Sequence, residues 1–137
     1  MSSTTLKIES YRAEVGDRPG EALRLLMQFK EAGIGFLAVS CTALPSGTTV
    51  LDLVPEYEEA FRRAASRIAL ATLGPERGFL FQDGDRVGAV ADNLAKLATR
   101  GIPVVSCHAV TGGGGRWGML LRVAAADFDR AAEALGF

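Results

Sequence analysis

Two short stretches carry the residue types from which a small-molecule site could be built. Gly16-Asp17-Arg18-Pro19-Gly20 and Gly84-Asp85-Arg86-Val87-Gly88 each set an acid and a base between glycines, and each runs into a helical pattern. The first N–H groups of a helix have no internal partner and lie at the positive end of its dipole, so Gly20 and Gly88 offer backbone amides to a carboxylate at close range. Asp17 or Asp85 beside those amides would meet an ammonium group, which favours an amino acid over a simple anion. The plainer alternative is that both aspartates cap their helices by accepting a backbone N–H.

Other chemistry is sparse. His108 is the only histidine, and its neighbour Cys107 in a strand faces the opposite way, so the two form no local dyad and His108 is expected in the core or across an interface. Cys41 and Cys107 are the only cysteines and read as buried free thiols. Gly112-Gly113-Gly114-Gly115 lacks the Lys-Ser or Lys-Thr of a phosphate loop and precedes a strand, which makes it a hairpin tip. Trp117 beside it reads as packing, with a ligand lid as the alternative. Glu58 and Glu59 stand four residues ahead of Arg62 and Arg63, the pattern of a solvated helix face. No metal or cofactor is implied.

The elements that must hold the two glycine turns repeat. Shifting the chain by sixty-eight positions matches Gly16, Asp17, Arg18, Gly20, Leu26, Gly33 and Ile34 to Gly84, Asp85, Arg86, Gly88, Leu94, Gly101 and Ile102, seven identities in the twenty-one pairs from Gly16 to Phe36. In the first copy, period-two alternation predicts a strand near Thr5 to Glu14. Pro19 suits the first turn of a helix whose apolar face includes Leu23, Leu26 and Met27 and which Gly33 stops. Strands Phe36 to Thr42 and Thr48 to Val54 form a hairpin, Pro55 opens a second helix, and Ile68 to Leu73 is a fourth strand. The second copy has a strand at Phe79 to Gln82, a helix through Val90, Leu94 and Leu97, a hairpin of Val104 to Val110 with Trp117 to Val123, and a helix from Asp127 to Leu135. Its fourth strand is missing, and the long first strand or a neighbouring subunit is expected to cover that edge. The unalternating stretch from Gly35 to Val39 suggests cover on both faces, with a second subunit as one source. The domains are therefore 1–73 and 74–137. Each is small enough that it should be docked on the other.

Composition sets the class. The 137 residues are 48% hydrophobic and 23% charged, which excludes disorder and coiled coil. A net charge of -1 gives no footprint for nucleic acid or an anionic membrane. No apolar run approaches the roughly twenty residues of a bilayer span, and the start lacks a secretory signal, so a cytoplasmic protein is expected.

An Asp-Arg-Pro-Gly turn after a first strand, then a helix ending in Gly-Ile and an apolar hairpin, resembles the ACT domain, here in tandem from about Leu6 to Leu135. The resemblance implies an α+β chain of two ferredoxin-like (βαββαβ) units, with antiparallel sheets and helices on one face. It implies a non-catalytic regulatory protein that binds an amino acid where units meet, as a homodimer, with an enzyme of amino acid metabolism as partner. Carried over residue by residue, it nominates Asp17, Arg18, Pro19, Gly20, Gly35 and Phe36 in the first copy, and Asp85, Arg86, Gly88, Pro103 and Val104 in the second. The first copy matches better, because Val87 replaces Pro19 and Pro103 replaces Gly35. Two other functions are compatible with the topology: a small ferredoxin-like enzyme and a purely structural interaction module.

Overall fold

A computed structural model describes residues 4–84 and 87–137; Asp85 and Arg86 lie outside the described residues. The chain is α+β, with strands β1 (Thr4–Gly16), β2 (Phe36–Ala43), β3 (Thr48–Pro55), β4 (Leu73–Gly84), β5 (Val104–Gly113) and β6 (Arg116–Val123). The helices are α1 (Glu21–Glu31), α2 (Glu58–Arg67), α3 (Ala89–Thr99) and α4 (Phe128–Ala134). The six strands form an antiparallel sheet in the order β2-β3-β1-β4-β6-β5.

Two compact units share these elements: Glu9–Glu76, and the described residues up to Ile8 together with Arg77–Phe137. Within the first the strand order is β2-β3-β1-β4, and within the second it is β1-β4-β6-β5. The Glu9–Glu76 unit ends within β4. The opening residues of β1 stand in the second unit, in the place of the fourth strand that its half of the sequence lacks.

Period-two alternation builds each core. In the Glu9–Glu76 unit, Tyr11 and Ala13 of β1 pair with Leu53 and Leu51 of β3 and meet Leu25 and Phe29 of α1 and Phe61, Ala64 and Ala65 of α2. Both helices thus cover one face of the strands. In the other unit Phe79 and Phe81 of β4 and Trp117, Met119, Leu121 and Val123 of β6 play the same part, against Leu97 of α3 and Phe128, Ala131 and Ala132 of α4. Phe79 and Phe128 stack with ring centroids 4.7 Å apart.

Several local expectations need correction. Ile68 to Leu73 is not a strand: Ile68 caps α2, Ala69 turns with φ 55°, and β4 begins only at Leu73 and runs through Gly74-Pro75. Pro19 and Pro55 precede their helices rather than opening them, because Gly20 and Tyr57 are the caps. Cys41 is exposed, not buried, since β2 is an edge strand, and Leu37 and Val39 of that strand are exposed for the same reason.

The acid-base face of α2 is also more than a solvated one. Glu58 pairs with Arg62 at 2.5 Å, and the Tyr11 hydroxyl donates to Glu58 Oε1 at 2.5 Å while accepting from Arg62 Nε at 2.9 Å. Hydrogen bonding with Glu9, then with Tyr11, holds the Glu58 carboxyl below its ordinary value of 4.5, while burial, then the bond to Glu58, pushes the Tyr11 phenol up. A carboxyl whose pKa falls on folding contributes stability that is complete above its unfolded pKa and is lost as pH drops through the folded one. Urea midpoints measured from pH 7 down to 2 should therefore fall more steeply below about pH 4.5 in the wild type than in Glu58→Gln. Parallel curves would show that this cluster carries no pH-linked stability.

Candidate functional site

Gly20 and Gly88, which close the two glycine turns, have the same backbone conformation. Gly20 and Gly88 are the N-caps of α1 and α3, with φ of 91° and 81°, a left-handed backbone that glycine adopts without a side-chain penalty. Each carbonyl accepts the first helical hydrogen bond, from Arg24 N at 2.8 Å and from Asp92 N at 2.9 Å. Neither cap has a side chain to offer the exposed amides, so something else must satisfy them.

At the first turn Glu21 acts in the loop ahead of the cap, not on those helix amides. Its carboxylate folds back and accepts a hydrogen bond from the Arg18 amide at 3.2 Å, and it lies so close over Gly16 that a side chain there would collide with it. A cavity of about 630 Å³ surrounds this turn, lined by Arg18, Pro19, Gly20, Glu21, Arg24 and Gln28 among others. Asp17 is exposed, with its amide donating to Gly47 O at 3.2 Å across the β2–β3 turn.

At the second turn the position equivalent to Glu21 is Ala89, which carries no carboxylate. The turn instead opens on an apolar cavity of about 560 Å³, between Gly88, Ala89, Val90, Ala91 and Leu94 on one side and Ala109, Val110, Thr111 and Trp117 on the other. Trp117 is 6% exposed, and its Nε1 donor is buried without an acceptor. An apolar cavity beside a helix start is a usual form of small-ligand pocket.

The other nominated residues lie elsewhere. Gly35 and Phe36 line a separate cavity of about 520 Å³ with Leu26, Lys30, Ile34 and Val39. Phe36 packs edge-on against Phe29 at 5.5 Å, and Glu56 covers Gly35, where an added side chain would stand 2.8 Å from its Oε2. Pro103 and Val104 are exposed at the start of β5 and do not line the Gly88 cavity. Asp17 to Gly20 and Gly35 with Phe36 are therefore not brought together within their unit, nor is Gly88 with Pro103 and Val104.

His108 is exposed on β5, outside the core, which leaves the interface as the other place expected for it. Cys107 faces the other way, packed against the core, and burial pushes its thiol up from its ordinary value, away from nucleophilic use. The glycine run forms the β5–β6 turn, with Gly113, Gly114 and Gly115 all at positive φ. Sequence reasoning passed over Glu21, although comparing Glu21 with Ala89 in the repeat would have separated a filled turn from an open one.

No protein-family model matches the sequence, and no curated protein matches it. Solved structures do share its fold. Protein BT0572 from Bacteroides thetaiotaomicron superposes with a TM-score of 0.81 at 12% identity, over 96% of this chain and 88% of that one. The ligand-free regulatory subunit of aspartate kinase from Thermus thermophilus gives 0.65 at 13% identity, over 98% and 95%. The aspartokinase alpha and beta subunits give 0.61 at 17% identity, over 98% and 95%. At such identities the likeness is one of fold. The chain has an ACT-like fold, shared with regulatory regions of aspartate kinases.

Proposed function

We propose that this protein is a non-catalytic regulator built of two ferredoxin-like ACT domains, 1–73 and 74–137 in sequence, which binds an amino acid at the Gly88 turn. One observation carries the reading. In the first copy the Glu21 carboxylate accepts from one amide of the turn, that of Arg18, and the repeat replaces that residue by Ala89 where the apolar cavity opens. The carboxylate of a free amino acid would take the place that Glu21 takes in the first copy, and its side chain would enter the cavity beside Trp117. Asp85 and Arg86, at the same turn, would meet the ammonium and carboxylate groups. The first turn, Asp17 to Gly20, would then be structural or bind only when Glu21 swings out.

Gly35 with Phe36 and Pro103 with Val104 open β2 and β5, the strands at the two ends of the sheet order. An edge strand with exposed apolar residues such as Leu37 and Val39 suits pairing with a second copy, and a homodimer would place such strand openings near a neighbour's turn. The likeness to regulatory subunits of aspartate kinase supports an enzyme of amino acid metabolism as the regulated partner.

An amino acid has about ten heavy atoms, which at order 0.5 to 0.8 kcal/mol each gives micromolar affinity. Trp117 is the only tryptophan and lines the cavity, so its emission reports binding directly. Titration with the twenty amino acids should give a saturable, stereoselective change in fluorescence. Gly88→Val should weaken binding at least tenfold by disturbing the amides, while Gly20→Val leaves it within twofold. A chain that responds to none of the twenty, or loses its response through Gly20→Val instead, would overturn the assignment.

A further inference from the structure

Resting on the reading of the Gly88 turn as an amino-acid site, we propose that its ligand carries an apolar side chain, of the kind found in valine, leucine or phenylalanine. Charged and carboxamide side chains are excluded. The selecting surface is the cavity of about 560 Å³ between α3 and the β5–β6 hairpin.

Two periodicities build its walls. Val90 and Leu94 stand four residues apart on α3, so they share one face of the helix, and both pack against the core of their unit. Ala109 and Thr111 alternate onto one face of β5, where the ladder sets them directly opposite Met119 and Trp117 of β6. Met119 and Trp117 belong to the core, so helix and hairpin meet across the cavity through the apolar sides of both.

Among the described residues that line this cavity none carries a charge, and Thr111 brings the one hydroxyl. The cavity at the first turn differs in kind, with Arg18, Glu21 and Arg24 in its lining. The repeat also puts Thr49 at the position of Trp117, so the large apolar wall belongs to the second unit alone. A ligand side chain that enters gives up water wherever it touches these walls. An ammonium, guanidinium or carboxylate would do so without a counter-charge, and a carboxamide would set two donors and an acceptor against a single hydroxyl. A hydrocarbon gains instead, by about two- to fourfold in affinity for each methylene buried. Alanine at positions 89 and 109 leaves the room those carbons need.

Titrations of the full chain, followed by Trp117 emission and by calorimetry, rank the side chains. Leucine should bind at least tenfold more tightly than alanine. Valine should exceed threonine, which has the same shape with a hydroxyl in place of a methyl, by about tenfold or more. The heat-capacity change on binding should be negative, and larger for leucine than for alanine. Ala109→Leu fills the side-chain end of the cavity and should cost leucine at least tenfold but alanine less than threefold. Thr111→Val removes the hydroxyl and should leave leucine within twofold. Ala109 and Thr111 are both exposed, so neither variant threatens the fold. A charged or carboxamide amino acid as the tightest ligand would overturn the inference and leave the amino-acid site at Gly88 standing. Silence toward all twenty would overturn both, and an Ala109→Leu variant that still binds leucine as the wild type does would overturn the assignment of the selecting surface.

Discussion

Phe61→Ala will cost about 3–5 kcal/mol of folding free energy, the range for removing a fully buried phenylalanine. Phe61 is 1% exposed, and three aromatic rings surround it: Phe29 stacked at 5.1 Å, Tyr11 tilted at 4.9 Å and Phe36 edge-on at 6.1 Å. Those rings come from α1, β1 and β2, so the side chain ties every layer of the Glu9–Glu76 unit to α2. Truncation leaves a void between aromatic faces that are fixed by separate elements and cannot all move inward. Urea unfolding followed by far-UV circular dichroism measures the loss, and a cost under 1.5 kcal/mol would show that the rings close the gap. Hydrogen exchange should place the weakened amides within residues 9–76.

Gly74→Ala is expected to be the most damaging single-methyl addition, at about 2–4 kcal/mol, summing a strained backbone with a collision. Gly74 has φ 118°, where L side chains are rarely found, and an added Cβ would stand 2.8 Å from Ser10 O and 3.2 Å from Glu76 N. Both obstacles are backbone atoms in β1 and β4, which cannot swing aside as a side-chain tip can. Gly88→Ala provides the control: φ is 81°, but nothing lies within 4 Å of the new methyl, so strain alone should cost about 1 kcal/mol. Equal losses in the two variants would mean that the β1–β4 approach yields to the methyl.

Much of the architecture was legible because the duplication states each element twice. Gly33 with Ile34 and Gly101 with Ile102 end α1 and α3, as the repeat implies, and both hairpins fall where turn residues separate apolar runs. The fourth strand was misread because Ile68 and Leu70 look like strand residues locally; they pack against the core while the chain turns at Ala69. Burial at the edge was overestimated for Cys41, since an apolar strand reads the same whether it is central or terminal in the order. At the candidate site, glycine positions and helix starts could be read from residue type. The state of the turn could not, because it depends on whether a flexible glutamate folds back, and Glu21 does.

Arg122 illustrates a different limit. A lone charge in Met119-Leu120-Leu121-Arg122-Val123 is visible in the sequence, but alternation predicts only which face it takes. That Arg122 is nonetheless only 6% exposed is a tertiary fact that alternation does not reveal.

The exchange of strand ends also orders the protein's birth. Residues 5–8 are translated before the whole Glu9–Glu76 unit, yet they belong to a unit whose remaining strands, from Arg77 onward, are translated only after it. The nascent chain therefore carries an orphaned ribbon until the strands from Arg77 onward have been made, and long-separated pairings of this kind close late and slowly. A substitution in residues 5–8 would be felt in the strands from Arg77 onward rather than in the segment that follows it in sequence.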